Sequence, residues 1–530
     1  MTQNAPQQKI QFPLFKDFVP PAIRPWIYVF FAIVFQLSDC VYLGSLNAMV
    51  GNTPLIREDV MMCGFFALVG VNMPFPLLFR LKFRSNNKAM LTICTVTILV
   101  ASFVTMITSF MPVLCLFCFM AGFCKLWGTF ECMSNIQLWM TPKRDFSVFF
   151  PLLYCIVLGD IYLSEVLSNH MAYYYDWHYM QWLMIGLLLI ILLILLTTTK
   201  VFHIMKMVPL YGVDWLGGVL WAAWILELIY ICNYGEYFNW FVSPNIRIAA
   251  CAAVVTGYFC INRMRHIHHP FISPDSWKYK NLWPMLLLFF LSEIFAATPN
   301  VLQNSMTEGL LHFDYLSVSN LSWWMIAGIF LGNAITFLWV NRMHLSYIRL
   351  LFIGFTALVV YQIYMYLIIS SEANIELLYI PTVLRGMGYT IVFCSLTIYL
   401  EEMMPFQHFF HGLFIVGIIR TGLGAAIGSA LYSFGMRYSI ANNIAHYNGN
   451  VDSVLLSARH IPIAEAISRF MQQMQMISIK QLYGWTALVG TGFIILLLFY
   501  DTTPVRSTLK RMPYWKVFGR KIKKEVIVKR

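Results

Sequence analysis

The stretch HYMQWLMIGLLLIILLILLTT, residues 178–198, decides the fold class of this chain because it contains no Lys, Arg, Asp or Glu. A bilayer hydrocarbon core about 30 Å thick needs about 20 apolar residues per helix, since each unpaired backbone group in lipid costs several kcal/mol. The stretch is long and apolar enough to meet this requirement. The sequence therefore predicts a membrane-spanning helix here.

The same pattern recurs along the chain and predicts an all-α membrane protein with 14 transmembrane helices. The apolar runs lie at 26–49, 59–79, 89–110, 113–140, 147–169, 178–198, 214–233, 246–262, 282–304, 319–340, 347–370, 377–400, 408–434 and 482–500. Composition agrees with this count, because 59% of residues are hydrophobic and 11% are charged, against about 25% charged in soluble domains. A single water-soluble core is not expected.

The distribution of basic residues predicts the orientation of the chain. The net charge is +12, and 27 Lys and Arg fall in alternate loops and the two tails, against 6 on the opposite side. By the positive-inside rule, both termini are expected to be cytoplasmic. The expected location is the cell inner (plasma) membrane. The basic balance is thus a topology signal, and no nucleic-acid partner is expected.

Short sequence matches predict an internal repeat. Phe35–Asp39 (FQLSD) matches Phe289–Glu293 (FFLSE), Met140–Pro142 matches Met403–Pro405, and Phe149–Phe150 matches Phe409–Phe410. The offsets are nearly equal, which indicates two six-helix halves. The predicted domains are 1–200, the first half; 201–280, two inserted helices and a cytoplasmic loop; and 281–530, the second half, with a long periplasmic loop at 436–480 and a basic cytoplasmic tail.

Charged residues at mid-membrane depth are the candidate functional residues. The acids are Asp39, Glu131, Asp160, Glu165, Glu227 and Glu293, and the bases are Lys125, Arg385 and Arg420. At about 3 kcal/mol each, nine such groups facing lipid would cost on the order of 25 kcal/mol, so a polar interior is required. Asp39 and Asp160 lie at similar depth, and a buried carboxylate with changing solvent access can carry protons. The alternative is that the acids form structural ion pairs with the bases.

Other motifs favour packing or leave alternatives open. The C-x-x-C at Cys115 and Cys118 has no second Cys pair in sequence, which favours helix packing over a metal site. Gly424–Gly428 gives a GxxxG-like spacing for close helix approach. An apolar stripe in the 436–480 loop either covers the bundle or docks a partner. The stripe consists of Ile463, Ile467, Phe470 and Met474. The chain has no phosphate-binding loop, and no cofactor is expected.

Several of these segments together resemble the 14-helix drug:proton antiporter branch of the major facilitator superfamily, the EmrB/QacA type. Phe35–Asp39 looks like the acidic motif of its first helix, Gly235–Trp240 resembles its loop between inserted helices, and Arg420–Gly428 is similar to its helix-13 signature. The resemblance implies a transporter with a periplasmic adaptor protein and an outer-membrane channel as partners.

We therefore expect a proton-coupled exporter of amphipathic small molecules, and not an enzyme. Asp39, Glu293 and Asp160 are the proton-coupling candidates; Glu131, Lys125, Arg385 and Arg420 are the substrate-cavity candidates. Glu131 is expected to act with Lys125 to tune the cavity charge. The alternatives are a solute transporter of the same fold, for a peptide, siderophore or metabolite, and, less favoured, a polytopic membrane enzyme.

Overall fold

Helices make up nearly all of the computed structural model. It describes residues 15–84, 86–141, 146–201, 212–279, 281–342, 347–447 and 462–499. The helices before residue 200 are α1 Arg24–Leu37, α2 Leu46–Asn52, α3 Arg57–Asn72, α4 Leu78–Arg84, α5 Asn87–Ile107, α6 Met111–Met140, α7 Phe146–Tyr174 and α8 His178–Thr198. Those that follow are α9 Trp215–Gly235, α10 Pro244–His266, α11 Leu282–Thr298, α12 Tyr315–Ser319, α13 Leu321–Phe337, α14 Tyr347–Ile368, α15 Tyr379–Met403, α16 Phe406–Ile418, α17 Gly424–Tyr447 and α18 Ile463–Phe499.

Twelve helical segments in the described residues are long and apolar enough to cross a membrane. Most predicted runs correspond to one of them, which establishes a multi-pass helical membrane protein. The first run and the thirteenth contain only shorter apolar helices, Arg24–Leu37 and His408–Ile418. The total of 14 spans therefore remains a prediction.

The chain forms two compact units. The first contains the described parts of 1–226, 254–279 and 400–421, and the second contains those of 227–253, 280–399 and 422–530. In the first unit α6 packs against α1, α3 and α5, and in the second α18 packs against α14 and α17, while α17 packs against α11. The predicted repeat of two six-helix halves is not tested by this division.

The first predicted span is not one helix. Helix α1 ends at Leu37, and residues 38–42 lie outside helical structure before a 3-10 turn at Leu43–Ser45. The hydroxyl of Ser38 donates to the carbonyl of Val34 at 2.6 Å, which is the acceptor that the Ser38 N–H would use in a continuing helix. The Ser38 N–H donates instead to Phe35, three residues back. We call residues 38–42 the α1 break.

The prediction of a loop at 436–480 was wrong over most of that range. Helix α17 continues to Tyr447 and α18 begins at Ile463, while residues 448–461 lie outside the described residues. Polar side chains join the two helices, since the Asn443 side-chain amide donates to Ser478 Oγ at 2.8 Å and to Gln481 Oε1 at 3.0 Å. Polarity that suggested a loop thus serves helix–helix hydrogen bonds.

Within the first unit, two glycines allow α3 and α6 to cross at close range. A Cβ on Gly70 would lie 3.1 Å from the Cα of Phe119, and one on Gly122 would lie 3.1 Å from the backbone nitrogen of Val71. Each neighbour is backbone, which cannot move aside without shifting the helix. The crossing fixes α6, the helix that carries Lys125.

Candidate functional site

A charged cluster in the first unit brings Asp39 and Lys125 together. Asp39 lies in the α1 break, where the chain leaves the helix, and Lys125 lies on the buried face of α6. Lys125 Nζ donates to Asp39 Oδ1 at 2.7 Å. The Lys125 side chain is 10% exposed and that of Asp39 is 31% exposed, so the carboxylate is the more accessible partner.

Asp160 on α7 is the third member of this cluster. Its residue exposure is 6%, and the Lys125 charge acts on it electrostatically. Its Oδ2 atom is buried and has no hydrogen-bond partner among the described residues. Lys125 pairs with Asp39 and its charge reaches Asp160, while the similar depth of the two acids stays a prediction. We call Asp39, Lys125 and Asp160 the charge cluster.

The charge cluster has a surplus of one negative charge when both acids are ionised. One ammonium cannot neutralise two carboxylates, and burial makes an unbalanced charge expensive. A proton on one carboxyl, or a cation beside it, restores balance. The arrangement can therefore bind and release a proton as its access to water changes.

Glu131 is not part of the charge cluster, although the sequence analysis expected it to act with Lys125. Its residue exposure is 1%, Asn87 Nδ2 donates to its Oε1 atom, and Lys82 Nζ lies 3.6 Å from its Oε2 atom. Lys82 also donates to Ser134 Oγ. Six residues separate Lys125 from Glu131 on α6, which turns them to different neighbours.

Glu293 and Arg385 lie in the second unit. The Tyr389 hydroxyl donates to Glu293 Oε1 at 2.9 Å, which links α11 to α15. Arg385 is one helical turn before Tyr389, and its Nε is 3.4 Å from the sulfur of Met325. Glu293 is 6% exposed and Arg385 is partly buried. Arg385 and Tyr389, the hydrogen-bond partner of Glu293, thus lie one turn apart on α15.

Arg420 lies in a π-helical segment, Ile419–Leu423, between α16 and α17, and is partly buried. Beyond it, the predicted small-residue contact is present. A Cβ on Gly428 would lie 2.7 Å from the Cβ of Ala297 and 3.6 Å from the Cα of Ile294, both on α11. Gly428 therefore packs α17 against α11.

Comparison with known proteins identifies the fold. No protein-family model and no curated protein matches the sequence. Two crystal structures of the nucleoside transporter NupG, one a mutant, match with a TM-score of 0.50 at 12% and 11% identity. They cover 89% and 88% of this chain, and 99% and 98% of those chains. An auto-inhibited POT family peptide transporter has a TM-score of 0.48 at 12% identity, over 87% of this chain and 97% of that one.

The fold of this chain is therefore similar to that of the NupG structures. At such low identity the likeness concerns fold and not substrate. The specific 14-helix drug antiporter branch is not confirmed by these matches.

The buried neutral amides were not predicted from the sequence. Gln36 donates to Thr129 at 3.1 Å, Gln181 donates to the Cys40 carbonyl at 3.0 Å, and Gln362 donates to the Phe295 carbonyl at 3.0 Å. All three are buried; Gln36 and Gln362 each link two helices, and Gln181 links α8 to the α1 break. A glutamine inside an apolar run was the available signal, because an amide in lipid needs a partner.

Cys115 and Cys118 also have partners that were invisible in sequence. Cys115 Sγ lies 3.6 Å from Cys63 Sγ on α3, and Cys118 contacts the thiols of Cys40 and Cys63. All four are buried in one apolar cluster. Within the described ranges, no group of three His, Cys, Asp or Glu side chains is placed to hold a metal ion. The predicted packing role accounts for these contacts.

Proposed function

We propose that this chain is a secondary transporter that couples solute movement to protons through the charge cluster. The observation that carries the proposal is that the Lys125 ammonium pairs with Asp39 at 2.7 Å and its charge also acts on Asp160, whose carboxyl is buried with an unbonded oxygen. Fixed structural pairs would not need the second acid. A shared lysine lets the pairing alternate between them.

In the proposed cycle, a proton occupies the carboxyl that does not hold Lys125. Alternating access exposes the cluster to one side of the membrane and then to the other. Asp160 takes up the proton while the cluster is open to the outer side, with Lys125 on Asp39, and gives it up while the cluster is open to the inner side, with Lys125 between the two carboxylates. Each full cycle therefore carries one proton inward.

For the substrate, we propose amphipathic small molecules that are neutral or cationic, moved outward against inward proton flow. Support comes from the surplus of acids over bases in the charge cluster and from the resemblance in sequence. Glu293 and Arg385, both in the second unit, are proposed to line the substrate path, and Arg420 stays a predicted substrate-cavity residue. The 14 spans, inner-membrane location, periplasmic adaptor and outer-membrane channel belong to the same proposal.

A second candidate is a transporter of polar solutes. It is supported by the match with the nucleoside transporter NupG over nearly the whole of that chain. A nucleoside is neutral and rich in hydrogen-bonding groups, and it suits a path that contains Glu293 and the hydroxyl of Tyr389. The remaining alternative is a polytopic membrane enzyme. Such an enzyme would turn over a lipid substrate when purified, and both transporter candidates would not.

The test is proton-driven exchange in proteoliposomes with a cationic dye and, separately, a labelled nucleoside. We expect Asp39→Asn and Asp160→Asn each to reduce proton-driven exchange to near background. Asp275→Asn is the matched control, because Asp275 is an exposed loop acid paired with Lys278. Undiminished exchange in both cluster variants would contradict the proposal. Strong preference for anionic dyes would overturn the substrate class alone.

A further inference from the structure

The α1 break creates a demand for hydrogen bonds inside the first unit. Where a helix stops, backbone carbonyls lose their usual N–H donors, and in a membrane no bulk water replaces them. The carbonyl of Leu37 accepts the N–H of Asp39 at 3.0 Å, which turns the chain sharply at the proton-coupling candidate. The Cys40 carbonyl, directly after Asp39, also lies in the α1 break.

Two side chains from other helices supply the donors for the Cys40 carbonyl. Gln181 Nε2 on α8 donates at 3.0 Å, and Thr105 Oγ1 on α5 lies at 3.3 Å. Each residue is only 1% exposed. The Thr105 hydroxyl also has the Ser102 carbonyl within reach at 3.2 Å, so its one proton is shared. Gln181 is therefore the main donor.

The other side of the break is held by a close backbone approach. Gly44 faces α7, where an added Cβ would lie 2.8 Å from the carbonyl oxygen of Glu165. The segment from Asp39 to Gly44 is thus fixed between α8 on one side and α7 on the other. Asp39 has little freedom to change direction while these contacts persist.

We infer that Gln181 is a positioning residue, assisted by Thr105, that holds the Cys40 peptide and thereby aims the Asp39 carboxylate at Lys125. The effect of this positioning role on transport rests on the proposed function. Its structural part, a fixed Cys40 peptide, is independent of transport. Gln181 touches neither the proton nor the substrate, and acts through Asp39.

The simpler role for a buried glutamine such as Gln181 is only to join helices. Gln362 has that simpler role and provides the comparison. Gln362 is fully buried in the second unit and donates to the Phe295 carbonyl at the same distance, 3.0 Å. Phe295 lies within helix α11, so this bond does not hold a break. Gln362→Leu is therefore a matched control for Gln181→Leu.

The first measurement is alkylation of the Cys40 thiol in the full-length protein by N-ethylmaleimide, followed by peptide mass spectrometry. Cys40 is 1% exposed, and the exposed Cys251 serves as the internal reference. Loss of the main hydrogen bond should loosen the break, so we expect Gln181→Leu to raise Cys40 alkylation by about tenfold. Gln362→Leu should leave it unchanged. Equal rates in wild type and Gln181→Leu would overturn the inference.

The second measurement is the pH profile of exchange. Gln181→Leu should leave Asp39 no longer aimed at Lys125, so we expect this variant to shift the midpoint of the pH profile. Gln362→Leu should leave that midpoint in place. If Asp39→Asn abolishes coupling but Gln181→Leu leaves the midpoint unchanged, the positioning role is wrong. If Asp39→Asn has no effect while Cys40 reactivity still rises, the break is held as inferred and the proposed function falls.

A second variant guards against misfolding of Gln181→Leu. Thr105→Val removes a shared donor with almost no change of shape, so we expect a smaller rise in Cys40 alkylation, and Thr105→Ser should restore the wild-type rate. A rise of equal size in Thr105→Ser and Thr105→Val would contradict a role for the hydroxyl.

Discussion

Lys125 balances the charges of two acids, and its removal is the most direct change at the residue scale. Without the ammonium, the charge cluster contains no cation, and the Asp39 and Asp160 carboxylates repel each other. Burial makes such a pair costly, although the 31% exposure of the Asp39 side chain lets water screen part of the cost. The lysine should therefore matter for both stability and transport.

We predict that Lys125→Met lowers stability by about 2 kcal/mol, less than for a fully buried pair. The double variant Lys125→Met with Asp39→Asn should recover part of that loss, because the uncompensated carboxylate is gone. Thermal unfolding in detergent measures both. Equal melting temperatures for wild type and the lysine variant would be inconsistent with a stabilising pair.

Asp17 provides a control for any pH dependence. It lies outside the membrane-spanning segments, and the Lys200 ammonium, 2.8 Å away, holds the pKa of its carboxyl below the usual value of 3.8. A group with a lowered folded-state pKa adds stability that is present above the unfolded pKa and is lost as pH falls through the folded value. Between about pH 5 and pH 8 its ionisation is constant.

We therefore predict that Asp17→Asn leaves the midpoint of the transport pH profile unchanged across that range. Proton-driven exchange at a series of external pH values provides the measurement. A shifted midpoint in this variant would mean that the pH response originates at the surface and not in the charge cluster.

At the scale of helices, the α3–α6 crossing depends on the absence of a side chain. A Cβ at Gly122 would meet the Ala67 and Val71 backbone, whereas nothing lies within 4 Å of a Cβ at Gly159 on α7. We predict that Gly122→Ala lowers stability by about 2 kcal/mol, because α3 has to move. Gly159→Ala should raise it by about 0.5–1 kcal/mol through helix propensity. Thermal unfolding measures the stability of both variants, and a Gly122→Ala variant more stable than wild type would contradict the close crossing.

The membrane-spanning helices were largely predictable from sequence, because the cost of exposing backbone in lipid demands long apolar runs. The α1 break was not, since Ser38 and Asp39 are polar in any conformation and the interruption shows only in the backbone, where the Ser38 N–H donates to Phe35. The extent of α17 and α18 was also missed. Their polar residues are compatible with a loop until Asn443 is seen against Ser478.

The candidate site was predictable in part for a similar reason. Mid-membrane charge marked Asp39, Lys125 and Asp160 as exceptional, because each carries an insertion cost. Partner choice was not predictable, since it depends on which face of α6 meets which helix. Lys82, a loop-side lysine in sequence, is the base nearest Glu131, and Lys125 serves the two aspartates instead.

At the scale of the whole molecule, topology is still a prediction, since both termini lie outside the described residues. The 27 to 6 division of Lys and Arg predicts that the two tails lie in the cytoplasm. We predict that a reporter enzyme active only in the cytoplasm is active when fused after Arg530 and silent when inserted within 448–461. Activity at both positions, or at the second alone, would refute the orientation.

Helix α18 is 37 residues long, about 55 Å at 1.5 Å per residue, which exceeds a hydrocarbon core of about 30 Å. Asn443 holds it to α17 near its middle, at Ser478 and Gln481, and the turns before Ser478 extend beyond that contact. A helix of this length acts as a lever, since a tilt of about 5° moves its two ends by roughly 5 Å relative to each other. A spin label or fluorophore near Ser468 would therefore magnify small rotations of that helix into distances that spectroscopy resolves.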